Sequence, residues 1–125
     1  MNVVDSSGWL EYFTDGENTE FFAPAIEDTR NLIVPVICVY EVFKRTMVGQ
    51  GVDVAEIRIA DLHKGRIVEL TAPLALSAAV ISAELKLPMA DSLILATARA
   101  NNATLWTQDE HFQHIEGVKY IAKIY

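Results

Sequence analysis

The segment Asn2-Val3-Val4-Asp5-Ser6-Ser7-Gly8-Trp9-Leu10 passes from an extended apolar run to a helical period across a single acid, Asp5. Residues 2–5 read as a short strand, because paired β-branched residues favour extended backbone. Ser6 and Ser7 then offer N-cap chemistry for a helix carrying Trp9, Leu10 and Phe13, closed at Asp15-Gly16. A strand feeding directly into a helix is the repeating unit of parallel α/β sheets.

The same alternation continues downstream. Phe21, Phe22, Ala25 and Ile26 share one stripe of a second helix, a stripe that suits either core or a dimer surface. Leu32-Ile33-Val34 reads as a second, buried strand, and Pro35 is well placed at the start of the helix that follows. That helix carries Val39, Val42, Phe43 and Met47, and Gly49 and Gly51 are expected to stop it. Its apolar neighbours suggest that it is largely buried. Ala55, Ile59 and Leu62 mark another helix, residues 66–70 a third strand, and residues 74–85 an Ala-rich helix ended before Pro88. A mostly apolar helix begins around Asp91, Thr104-Leu105-Trp106-Thr107 is a fourth strand, and residues 118–121 suit a fifth. The expectation is a single domain over residues 1–125, with α/β architecture in three layers. A mostly parallel central sheet of four or five strands carries helices on both faces.

Composition narrows the function classes. Hydrophobic residues make up 51% and charged residues 22%, ordinary globular usage. The longest apolar run, residues 32–40, contains Pro35 and falls well short of the roughly 20 residues a membrane span needs. No basic lead precedes an apolar block at the N-terminus, and the one cysteine, Cys38, has no partner for an internal disulfide. Both features point to the cytoplasm. The net charge of −7, from 17 acids against 10 Lys plus Arg, argues against simple nucleic-acid binding through a basic surface.

Four acids stand apart. Each has an ordinary explanation: Asp5, Asp91 and Asp109 as helix caps, Glu41 as a surface partner of Lys44 or Arg45. Taken together those explanations weaken. Asp5 follows the first strand and Asp109 the fourth, and open α/β sheets bind ligands beyond the carboxyl ends of their strands. Glu41 lies among apolar neighbours, and Asp91 opens a helix with no other charge before Arg99. Four converging carboxylates repel one another unless some are protonated or divalent cations hold them. Oxygen donors favour Mg²⁺ or Mn²⁺. His63, His111 and His114 are too scattered for zinc. Such a cluster suits hydrolysis of phosphodiesters, with Ser6 and Thr107 as hydroxyls that orient the acids. A receiver or dehalogenase-like phosphotransfer fold also puts an Asp after its first strand. Ser7 occupies the position where a dehalogenase-like site needs a second Asp, and neither rival finds its late Lys near Thr107.

Four segments in this order resemble a PIN-domain nuclease, nearest to VapC-type toxins of toxin–antitoxin pairs. They are Val3-Val4-Asp5-Ser6-Ser7, Val39-Tyr40-Glu41-Val42, Met89-Ala90-Asp91-Ser92-Leu93-Ile94-Leu95-Ala96-Thr97-Ala98 and Leu105-Trp106-Thr107-Gln108-Asp109-Glu110-His111-Phe112. The resemblance implies an endoribonuclease dependent on Mg²⁺ or Mn²⁺, homodimeric, and held inactive by a small antitoxin. It implies Asp5, Glu41, Asp91 and Asp109 as metal-binding acids, with Thr107 supporting Asp109. Some members carry a further acid where this chain has Phe112 and Gln113. Lys44 and Arg45, one turn beyond Glu41, are the candidate RNA contacts. A processing nuclease without an antitoxin, or a non-catalytic binding module, are the other roles such a domain takes.

Overall fold

The computed structural model describes residues 1–125. Its elements run β1 (Asn2–Val4), α1 (Ser6–Phe13), α2 (Thr19–Glu27), β2 (Leu32–Pro35), α3 (Val36–Gln50), α4 (Val52–Leu62), β3 (Arg66–Val68), α5 (Ala72–Leu85), α6 (Met89–Ala100), β4 (Thr104–Thr107) and β5 (Val118–Tyr120). Short 3₁₀ turns lie at Thr29–Asn31 and Glu110–Phe112. All five strands are parallel, in the order β3-β2-β1-β4-β5. The expected α/β fold is therefore present, with the fifth strand formed and the sheet wholly parallel. No helix is long and apolar enough to cross a membrane.

Strand order locates the functional edge. From β1 the chain steps outward to β2 and then β3 before crossing back to β4 and on to β5. Connections between parallel strands are right-handed in nearly all proteins. Steps in opposite directions therefore put their helices on opposite faces, α1–α4 on one and α5–α6 on the other. In agreement, α1 and α2 pack on β1, and α6 packs on β1, β2 and β4. The direction reverses between β1 and β4, and a reversal leaves a crevice beyond the strand ends.

Strands covered on both sides must be apolar throughout, and Val3, Val4, Ile33, Val34 and Leu105 are fully buried. Helix α6 is apolar nearly all round, with Ser92 to Ala98 buried without a break, as a helix inside the core requires. The stripe on α2 belongs to the core: Phe22 and Ile26 are buried, and Phe21 packs on Trp106 with ring centroids 5.2 Å apart.

Several element ends differ from the sequence reading by one or two residues, among them those of β3 and α3. Strand β3 ends at Val68, leaving Glu69 and Leu70 exposed at the edge of the sheet. Helix α3 runs through Gly49 to Gln50 and stops at Gly51, whose φ of 94° is left-handed. Nor is α3 largely buried. Only Cys38, Val42 and Thr46 are covered, while Tyr40 and Val48 are 59% and 78% exposed.

Two helical glycines give opposite predictions. A Cβ on Gly8 would lie 2.6 Å from the Phe22 ring and 2.7 Å from Val4 Cγ1, and Phe22 is fully buried with no room to yield. Gly8→Ala is expected to destabilise by about 1–3 kcal/mol through overpacking. A Cβ on Gly49 meets nothing within 4 Å, so Gly49→Ala is expected to stabilise by about 0.5–1 kcal/mol. Urea midpoints of the two variants check both signs.

Candidate active site

Parallel pairing of β1 with β4 sets Val4 opposite Trp106, so that Asp5 emerges beside Thr107. The Asp5 backbone N–H donates to the Trp106 carbonyl at 2.9 Å. Asp5 occupies the N-cap position of α1, yet its side chain caps nothing. Instead Oδ2 accepts from the Ser7 hydroxyl at 2.7 Å and the Thr107 hydroxyl at 2.9 Å, and Oδ1 takes no hydrogen bond. The residue is 3% exposed. Burial pushes its carboxyl from the usual 3.8 up to about 6, against the opposing pull of the two hydroxyls and with help from the charges of Asp91 and Asp109.

Glu41 reaches the same region from α3. It pairs with neither Lys44 nor Arg45; its Oε1 accepts the Ser6 hydroxyl at 2.7 Å. It is half-buried on a helix covered along one side only. Asp91 lies in the first turn of α6, where the helix dipole favours an anion. Its side chain is 13% exposed, and burial first, then the Asp109 charge, raise it to about 6. Asp109 does cap the turn Glu110–Phe112, its Oδ1 accepting the His111 backbone N–H at 2.9 Å.

All four acids line one cleft of about 410 Å³ at the β1–β4 edge. Within it the tightest group is Asp91, Asp109 and His111, which can each present one ligand atom within 4.8 Å of the others. The His111 ring nitrogen Nδ1 lies 3.0 Å from Asp91 and 3.1 Å from Asp109. The Asp109 charge, foremost, raises the imidazole above its ordinary range. Spacing sets the histidines aside as a zinc cluster; of the three only His111 is brought to these acids, meeting Asp91 of α6, twenty residues away in sequence. Asp5 and Glu41 line the cleft outside that tight group.

The Ser6 and Thr107 hydroxyls each donate to a cleft acid, Thr107 to Asp5 rather than to Asp109. Ser6 serves Glu41. Thr107 serves Asp5 through its hydroxyl hydrogen and meets Asp109 only by accepting its backbone N–H at 2.9 Å. Ser7 and Gln108, which the sequence marks only as a cap and a motif residue, also line the cleft. Of the two candidate cations, Arg45 lines it and Lys44 does not. Lys44 Nζ instead lies 5.7 Å from the Tyr40 ring centroid. Phe112, one of the two positions where the resemblance implies a further acid in some members, is fully buried in the core.

The carboxylate oxygens form a hard donor set that suits Mg²⁺ or Mn²⁺. The cleft fits a divalent ion in a second respect. Both hydroxyls on Asp5 converge on one oxygen, leaving Oδ1 for a cation.

The family model for the PIN domain matches residues 3–118. No curated protein matches the chain. Among solved structures, a toxin–antitoxin complex from Klebsiella pneumoniae superposes with a TM-score of 0.78 at 20% identity, covering 95% of this chain and 96% of that one. VapC20 from Mycobacterium tuberculosis, a toxin described as cleaving the sarcin–ricin loop, gives 0.73 at 17% identity, over 93% and 95%. FitAB bound to a DNA fragment gives 0.73 at 22% identity, over 96% and 94%. At these identities the likeness is one of fold.

Proposed function

The chain belongs to the PIN-domain family, and from that premise we propose that it is an endoribonuclease dependent on Mg²⁺ or Mn²⁺, the toxin of a type II toxin–antitoxin pair. The observation that carries the reading is the convergence of Asp5, Glu41, Asp91 and Asp109 on one cleft, with Asp5 buried and forced towards the neutral form. Structural relatives described as toxin–antitoxin complexes, and one described as cutting the sarcin–ricin loop, support the choice of substrate and partner. The proposal includes a homodimer of single-domain chains acting in the cytoplasm under a small antitoxin.

In this role Asp5, Glu41, Asp91 and Asp109 hold the cation. When bound, the ion supplies Lewis acidity that makes water a nucleophile near neutral pH and offsets charge on the phosphate. Ser7 and Thr107 fix the rotamer of Asp5, and Ser6 fixes that of Glu41. His111, between Asp91 and Asp109, holds their separation and offers a proton donor 3.0–3.1 Å from both.

Incubating the pure chain with RNA tests the reading. Cleavage is expected with Mg²⁺ or Mn²⁺, lost in chelator and in Asp91→Asn. Equal cleavage by wild type and variant would trace the activity to a contaminant and remove the nuclease assignment. Expression from the native operon should bring down a small partner protein; a chain that purifies alone and does no harm to its host contradicts the toxin role.

A further inference from the structure

A cleft with Asp5, Glu41, Asp91, Asp109 and Glu110 on its walls is a poor host for a polyanion. A bound ion relieves the reacting phosphate but not its neighbours, each of which brings one more charge. Only two permanent cations line this cleft, Arg45 and Lys123, and neither forms an ion pair with any acid. They arrive from opposite sides. Arg45 stands on α3, which leaves β2, and Lys123 follows β5. Strand order puts β1 and β4, with Asp5 and Asp109 at their ends, between those two strands.

The segment that carries Lys123 is tied down next to it. The Ile121 backbone N–H donates to the Thr107 carbonyl at 3.1 Å, continuing the β4 pairing past the last strand residue. The Ala122 carbonyl accepts from Asn18 Nδ2 at 3.1 Å. Asn18 is itself 3% exposed, and the same amide donates to Gln108 Oε1 at 2.9 Å. Gln108 in turn reaches the Ser7 carbonyl and Glu11 at 3.4 Å. A buried amide network that links three segments in this way tethers what it holds. It joins α1, the β4 end and residue 122 into one wall, and the next side chain, Lys123, is at the cleft.

We propose that Lys123 and Arg45 are the phosphate-binding residues of this site, gripping the backbone of single-stranded RNA on either side of the reacting position. The inference rests on the nuclease reading and deepens it by naming how an acidic protein holds an acidic polymer. Two cations flanking the metal cluster supply local attraction where the whole molecule supplies none, and they do so without base contacts, so they set register rather than sequence preference.

Fluorescence anisotropy of a short, fluorescein-labelled single-stranded RNA tests it, with Ca²⁺ in place of Mg²⁺ to slow hydrolysis and a gel to verify that the RNA stays intact. Lys123→Gln is expected to weaken binding several-fold and to lower the slope of log affinity against log salt by about 0.7, the contribution of one phosphate contact on a single strand. Arg45→Gln is expected to do the same, the double variant twice as much, and Lys123→Arg to restore the slope. Lys119→Gln is the control, since Lys119 lies 4.4 Å from the Trp106 ring and does not line the cleft; it should leave the slope unchanged. A wild-type chain that cuts RNA while Lys123→Gln keeps affinity and slope overturns this inference alone. A wild-type chain that neither binds nor cuts RNA overturns it together with the nuclease reading.

Discussion

Asp5→Asn is expected to lose RNA cleavage by about 100-fold or more and, at the same time, to make the metal-free protein more stable at pH 7. Losing residues that merely orient metal ligands costs about 10–100-fold, so losing a carboxylate proposed to hold the ion is expected to cost at least the upper end. The stability gain follows from burial. The folded protein holds the Asp5 carboxyl at about 6 against its usual 3.8, so at pH 7 the fold carries a charge that the unfolded chain bears more easily. A rise of that size corresponds to about 3 kcal/mol. Asn removes the charge, and its carbonyl oxygen still accepts from Ser7 and Thr107. Asp5→Ala isolates the charge: it too is uncharged, but it strips both hydroxyls of their acceptor and should give back about 1–3 kcal/mol. Urea unfolding in chelator, beside cleavage of labelled RNA with Mg²⁺, checks both halves. An Asn variant less stable than wild type at pH 7 would mean that the Asp5 charge is compensated in the fold, contrary to the geometry.

The same burial that opposes stability to activity at Asp5 separates what the sequence discloses from what it hides. Asp5 is legible because a buried strand ends one residue before it, and Asp109 because Thr104-Leu105-Trp106-Thr107 ends two residues before it. Strand ends of a parallel sheet all face one edge, so order along the chain is enough to bring these two acids together. The hydrogen bonds of Ser6 and Thr107 to cleft acids are legible through their nearness to those ends. The choice between Arg45 and Lys44 is hidden in helix phase. At 100° per residue, Arg45 returns to within about 40° of Glu41 while Lys44 falls about 60° away on the other side, over Tyr40. Neither His111 nor Lys123 can be found by spacing. His111 meets Asp91 because the α6 N-terminus lies against the 3₁₀ turn after β4, and Lys123 reaches the cleft because a buried Asn18, over a hundred residues earlier, holds the carbonyl beside it. Both are products of packing between remote elements. The expected burial of α3 fails for a related reason: apolar residues in sequence do not specify what covers them, and Tyr40, Met47 and Val48 face outward.

The second large effect is a crossing of two pH profiles. Asp5 and Asp91 both stand at about 6 in the fold, above their usual 3.8. An acid with a raised folded value binds more protons in the native state than in the unfolded chain between those two limits, so metal-free stability falls as pH rises from about 4 to about 6 and then levels off. Asp91 adds less than Asp5, being only partly covered and already paired with His111. Metal binding runs the other way. On the proposed reading a cation needs both carboxylates ionised, so apparent affinity grows with pH until both have lost their protons. At pH 5 each of the two acids is about nine-tenths protonated, which for two required ionisations predicts an affinity for Mn²⁺ about 100-fold weaker than at pH 7.5. Calorimetry at pH 6 should register net proton release, seen as a dependence of the binding enthalpy on buffer. In thermal melts, saturating Mn²⁺ should raise the midpoint strongly at pH 7.5 and hardly at pH 5, since stabilisation grows with the logarithm of ligand over its dissociation constant. In Asp5→Asn one of the two protons is gone, so the pH dependence should shrink to about tenfold even as the residual affinity drops. An equal midpoint shift at both pH values would mean that the ion binds where no carboxylate has to give up a proton, and the cleft between β1 and β4 would not be its site.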